Sequence, residues 1–194
     1  MSLNAREATQ VVEAALDASI ALHQQVRSRD LSAVVSAAAA LLESYAAGGK
    51  VLVFGNGGSA ADAQHFAAEL VGRFEQDRPG MAAIALTTDT CTLTSVANDY
   101  GFDRIFARQI EALGRQGDVA VAISTSGASP NVIEGLREAA ARGLRTVALT
   151  GRNGGALGAM AEIHINVPHE TTCRVQEVQM TLLHAICGII ERRS

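Results

Sequence analysis

The sequence predicts an α/β fold: a three-layer sandwich around a five-stranded parallel sheet, preceded by two helices. Three observations carry this. Five short apolar segments alternate with stretches of helical periodicity, the order of a parallel sheet with crossover helices. Segments such as 51–54 and 119–123 are apolar at consecutive positions, as strands buried on both faces are. Glycine- and serine-rich stretches fall where strands end and helices begin, the place where open α/β sheets bind ligands.

In chain order, residues 3–28 carry Val11, Val12, Ala15, Ser19, Leu22 and Val26 at helical spacing. A second helix covers 31–47 and stops at Gly48-Gly49, glycine being a common residue just past a helix end. The first strand is 51–54, followed by a helix over 59–73. The second strand is 82–86, followed by helices at 90–98 and 102–113. Strand three, 119–123, feeds a crossover helix at 131–142. Strands four and five are 145–149 and 162–167, and a final helix spans 172–192. The two opening helices precede any strand and cannot form a core alone, so they cover the sheet domain or another subunit. The Ala-rich, amphipathic first helix fits an oligomer bundle, and a homo-oligomer is expected.

The chain has 194 residues, one ordinary domain in length, and 48% hydrophobic residues, enough to cover a sheet on both sides. Aromatics are 4% and Trp is absent, so Ala, Val, Leu and Ile fill the core. A net charge of −4 without a basic run speaks against a nucleic-acid surface. No apolar run is long enough to span a membrane, and no signal-peptide pattern opens the chain. Cys91, Cys173 and Cys187 form no metal-like cluster, as in a reducing, cytoplasmic setting.

Two loops draw attention. Gly55-Asn56-Gly57-Gly58-Ser59 lets backbone N–H groups approach a ligand at a helix N-terminus. Ser124-Thr125-Ser126-Gly127-Ala128-Ser129-Pro130 supplies four hydroxyls beside another helix start, a cradle for a phosphate monoester. Neither loop contains the GK[ST] of a nucleotide P-loop, and neutral donors suit a small sugar phosphate. Plain helix capping is the alternative for both. The first loop also fits G-x-G-x-x-A, but the acidic partner expected at the end of strand two is missing; Asp89 lies beyond Thr87 and Thr88.

His65 and Glu69, spaced i and i+4, share one helix face. On the final helix Gln176 and His184 border the apolar stripe of Val175, Val178, Leu182, Ile186 and Ile189. A histidine beside an apolar face is commonly a core residue. Two histidines with a carboxylate, however, make a zinc-like ligand set. Gln176 and His184 stand about 12 Å apart along the axis, awkward for one metal unless they meet it from different subunits. His164 alternates with Ile163 and Ile165 and points away from their face, His23 belongs to the surface of the opening helix, and His169 lies in a loop.

With these residues, together with Arg78-Pro79-Gly80, Asn98-Asp99-Tyr100-Gly101 and the stretches ISTSGASPNV, ALTGRNGG and VPHETTCRVQEVQMTLLH, the chain resembles the sugar isomerase (SIS) domain superfamily and its sedoheptulose-7-phosphate (phosphoheptose) isomerases. The resemblance spans essentially the whole chain. It implies one flavodoxin-like, doubly wound SIS domain over 1–194, with helices 1–48 used for oligomer packing and the sandwich and last helix in 49–194. It implies that Asn56, Gly57, Gly58 and Ser59 bind substrate, that Asn98 and Asp99 contact its polyol, and that Ser124, Thr125, Ser126 and Ser129 hold its phosphate. It further implies zinc on His65, Glu69, Gln176 and His184, with Glu69 and His184 as the catalytic acid/base pair and Glu69 and Gln176 also touching substrate. The implied assembly is a homotetramer with sites between subunits. Gln179 departs from the second His of many relatives, and Ala128 stands where Asn or Lys is frequent.

The implied reaction converts D-sedoheptulose 7-phosphate to D-glycero-D-manno-heptose 7-phosphate through an enediol, the first step of nucleotide-activated heptose biosynthesis, as used in lipopolysaccharide. A non-catalytic branch of the superfamily that binds the bacterial replication initiator is the main alternative; a sugar-phosphate sensor and a dehydrogenase are further ones. Glu69 and His184 together favour the enzyme.

Overall fold

The computed structural model describes residues 4–193. Helix α1 (Ala5–Arg27) is N-capped by Asn4, whose side chain accepts from the Arg6 amide, and α2 is Ser32–Ala46. Then follow β1 (Val51–Gly55), α3 (Gly58–Val71), β2 (Ala83–Ala85), α4 (Thr90–Tyr100), a 3₁₀ turn, α5 (Ile105–Leu113), β3 (Val119–Ser124), α6 (Pro130–Ala141), β4 (Arg145–Gly151), α7 (Gly155–Met160), β5 (Ile163–Val167) and α8 (Thr172–Glu191).

The five strands are parallel, in the order β2-β1-β3-β4-β5. Side chains alternate across the sheet. Val51, Val53, Val119, Val121, Ile123, Val147, Leu149, Ile163, Ile165 and Val167 pack with α1, α2, α3 and α8. Leu52, Phe54, Ala120, Ala122 and Ala148 pack with α4 to α7. Three layers result, as the unbroken apolar runs foretold. The chain order reverses between β1 and β3, so the loops after these two strands flank the switch-point crevice.

Two expectations are corrected. Helix α7 was not anticipated, because its glycines weaken the helical pattern. They are needed where they stand: a Cβ at Gly154 or Gly158 would run into the His164 ring. His23 is half-buried, its Nε2 3.0 Å from Thr181 Oγ1 on α8 and its Nδ1 2.8 Å from the Ser19 carbonyl. Helix α1 divides along its length: Leu22 and Val26 are in the core, while Val11, Val12, Leu16 and Ile20 are 55–70% exposed.

Candidate active site

The hydroxyl loop after β3 closes on the start of α3. Asn56, Ser59, Ile123, Ser124, Thr125, Ser126 and Ser129 line a cavity of about 170 Å³. Ser124 Oγ lies 3.1 Å from Ser129 Oγ and 3.4 Å from Ser126 Oγ, and Ser126 Oγ accepts from the Ala128 amide. Ser129 occupies the N-cap position of α6 but makes no capping bond; its hydroxyl turns to Ser124 instead. That argues against mere helix capping. The N-termini of α3 and α6 flank the cavity, and the positive end of a helix dipole favours an anion.

The two loops are locked together. Asn56 and Asn131 exchange two amide hydrogen bonds of 2.8 Å, and Asn131 is 2% exposed. Gly57 has φ +56°, a backbone that glycine adopts without strain. A Cβ on Gly58 would strike the Gln176 amide, so the glycine makes room for α8 to lay Gln176 over the start of α3.

Farther along the same seam α3 and α8 bring together His65, Glu69 and His184. Their ligating atoms lie within 4.8 Å of one another. His65 Nε2 is 3.0 Å from Glu69 Oε1 and 3.4 Å from His184 Nε2, and the two rings meet edge to face at 5.0 Å. The Phe74 ring lies 5.4 Å from that of His184. One nitrogen thus faces two acceptor-capable atoms with at most one proton to give, an arrangement compatible with a bound cation. Two imidazoles and a carboxylate are the donor set of an open zinc site.

The Gln176 amide lies against Gly58, at the other end of the seam. Asn98 and Asp99 are exposed at the end of α4, bonded to each other at 2.8 Å, and line neither cavity beside Asn56.

The SIS domain family model matches residues 16–151. The phosphoheptose isomerase of Halorhodospira halophila is 52% identical over 177 residues, 90% of this chain and 89% of the relative. That of Aromatoleum aromaticum is 59% identical over 146 residues, 74% of each. The chain belongs to the phosphoheptose isomerase family of SIS domains. Solved phosphoheptose isomerases superpose closely. The Neisseria gonorrhoeae structure has a TM-score of 0.90 at 47% identity, covering 95% of this chain and 98% of that one. The Francisella tularensis structure has 0.91 at 38% identity with the same coverage.

Within this phosphoheptose isomerase scaffold, four features have surroundings that the sequence did not show. Asn131 is the interior partner of Asn56, a pairing visible only in three dimensions. Asp62, one turn before His65 on the same face of α3, has a buried Oδ2 without a hydrogen-bond partner in the protomer. Burial pushes its carboxyl up to about 6, against the opposing pull of His65. Gln179 is fully buried with both amide atoms unpaired. Arg78, quoted only as part of a motif, forms a buried ion pair with Glu191. A helical count would have flagged Glu191, which follows His184 by seven residues and shares its face.

Proposed function

We propose that this chain interconverts D-sedoheptulose 7-phosphate and D-glycero-D-manno-heptose 7-phosphate, with the roles set out below. It is an isomerase of sugar phosphates in heptose biosynthesis. The observation that carries the assignment of roles is the convergence of Glu69 with His184 on a seam whose other end opens at a hydroxyl-lined anion seat.

Aldose–ketose isomerisation moves a proton between C1 and C2. Glu69 is the base that takes and returns the carbon-bound proton. His184 serves the oxygens, moving the hydroxyl proton as the carbonyl changes place. His65, hydrogen-bonded to Glu69, holds the carboxylate in position. Ser124, Thr125, Ser126 and Ser129 receive the phosphate, assisted by Ser59 and the backbone of Gly57 and Gly58. Asn56 and Gln176 face the polyol, and Asn98 and Asp99, which line neither cavity of their own protomer, contact it across a subunit boundary. Anchoring the far end of the chain restricts the reacting carbons, which is where binding energy is converted into rate.

The donor set fits a divalent ion: His65, Glu69 and His184 would hold zinc, with Gln176 joining from a neighbouring subunit. Such an ion would polarise the carbonyl and steady the charge on the enediolate.

The assembly reading rests on the exposed apolar face of α1. Ser59 and Glu69 are ten residues apart on α3, so the seat and the carboxylate lie toward opposite ends of the seam. A second subunit is free to complete the site at either end. The exposed apolar face of α1 supplies the packing surface for a homotetramer, with 1–48 as its oligomer-packing segment on one SIS domain. No helix among the described residues is long and apolar enough to cross a membrane, in keeping with a cytoplasmic enzyme. The relatives at about half identity are isomerases, which leaves the initiator-binding reading without support.

The test is direct. The purified protein is incubated with sedoheptulose 7-phosphate, with and without chelator, and aldoheptose is measured. Glu69→Gln is expected to lower kcat by about 10²–10⁴-fold, the usual worth of a general base, with substrate binding kept. Near-normal turnover by that variant would place the base elsewhere.

A further inference from the structure

The buried pair Arg78–Glu191 joins the two helices that carry the acid/base residues. Glu191, in the last turn of α8, accepts from the amides of Phe74, Glu75 and Gln76 at 2.8, 2.9 and 3.0 Å. It also pairs with Arg78 Nε at 3.2 Å, the two side chains being 2% and 7% exposed. Arg78 in turn donates Nη2 to the Glu69 carbonyl at 2.7 Å and Nη1 to the Leu70 and Pro79 carbonyls at 3.0 and 3.1 Å. Those first two carbonyls belong to the last turn of α3, where no helical donor remains for them. The irregular segment between α3 and β2 would otherwise have three amides without partners. With them satisfied, Phe74 rests on the ring of His184.

One ion pair therefore grips the backbone of Glu69 on α3, the end of α8 two turns past His184, and the loop that backs His184. A buried charge pair is a costly way to gain stability alone, and its best-attested use is to fix register. We propose that Arg78 and Glu191 are positioning residues that set the spacing of Glu69 and His184 across the α3–α8 seam. The proposal rests on the acid/base roles assigned above.

Asp118 provides the comparison. It is equally buried, accepts from the Lys50 and Arg115 amides and pairs with Lys50, but at the opposite end of the sheet. Arg78→Lys, Glu191→Gln and Asp118→Asn are measured for Tm, for kcat and KM with sedoheptulose 7-phosphate, and for the His184 imidazole signals by NMR. Arg78→Lys and Glu191→Gln are expected to lower kcat by about 10–100-fold, as sub-ångström to ångström misplacement does, with KM held by the remote phosphate seat. They are also expected to shift the His184 signals as Phe74 moves off the ring. Asp118→Asn is expected to lower Tm while leaving kcat and the His184 signals in place. Equal loss of kcat in all three at matched Tm, or unchanged His184 signals in Arg78→Lys, overturns the proposal. Absence of turnover in the unmodified protein would instead sink the isomerase reading, and the NMR comparison still decides on the clamp. Should Glu191→Gln fail to fold, Arg78→Lys carries the same readouts.

Discussion

Asp62 is the side chain whose ionisation costs this fold most visibly. Its carboxyl is pushed up from 3.8 to about 6 by burial, and its Oδ2 has no partner within the protomer. The folded state therefore holds a proton that the unfolded chain has released. Stability must fall as pH rises between about 4 and about 6, and the loss is complete above that window. Asp62→Asn abolishes this titration. Its Tm relative to the unmodified protein should climb from pH 4 to pH 7.5, by a few degrees if about 1 kcal/mol survives solvent screening. A Tm difference independent of pH would show that Asp62 titrates normally. Glu191 has the opposite sense. Burial alone would raise its carboxyl, but the amides of Glu75, Phe74 and Gln76 and the Arg78 charge hold it below the usual carboxylate range. Its contribution is present above the ordinary carboxylate pKa and is lost as acid protonates it, so the clamp is an acid-labile point of the fold.

At the scale of elements, the sheet and its helices were legible because burial on both faces forces unbroken apolar strands, and because glycine and serine mark the strand ends. Helix α7 was not, since its glycines answer to the His164 ring and not to local propensity. The trio was legible as far as periodicity reaches: i and i+4 put His65 and Glu69 on one face, but nothing local set the α3–α8 register that brings in His184. The same limit hid the roles of Asn131, Arg78 and Glu191, whose long-range partners lie 75 to 117 residues away in sequence. Helix α1 shows how a correct pattern can be only half satisfied by its own chain. Leu22 and Val26 reach the core, but Val12, Leu16 and Ile20, four residues apart on one face, meet none of it. Burying each such side chain is worth about 1.5–3 kcal/mol, so a second copy is the natural cover. Leu16→Lys is expected to shift sedimentation from oligomer to smaller species without unfolding the sheet core. An unchanged sedimentation profile would remove α1 from the interface.

For the whole molecule, the separation of the phosphate seat from Glu69 makes a sharper demand than size alone. If one subunit's seat serves another subunit's carboxylate, two different dead variants can rescue each other. Glu69→Gln leaves the seat intact. Ser126→Asp leaves the carboxylate intact and places a negative charge where the phosphate must lie. Each alone should be inactive. Co-expressed and randomly assembled, some contacts pair an intact seat with an intact Glu69, and for sites shared between two symmetry-related subunits about a quarter of all sites are whole. Turnover near that fraction, in oligomers shown to contain both variants, is the expected result. Sites built within a single subunit yield none, because every site then carries one defect. That outcome would place the seat and the carboxylate of each site at the two ends of one protomer's α3–α8 seam.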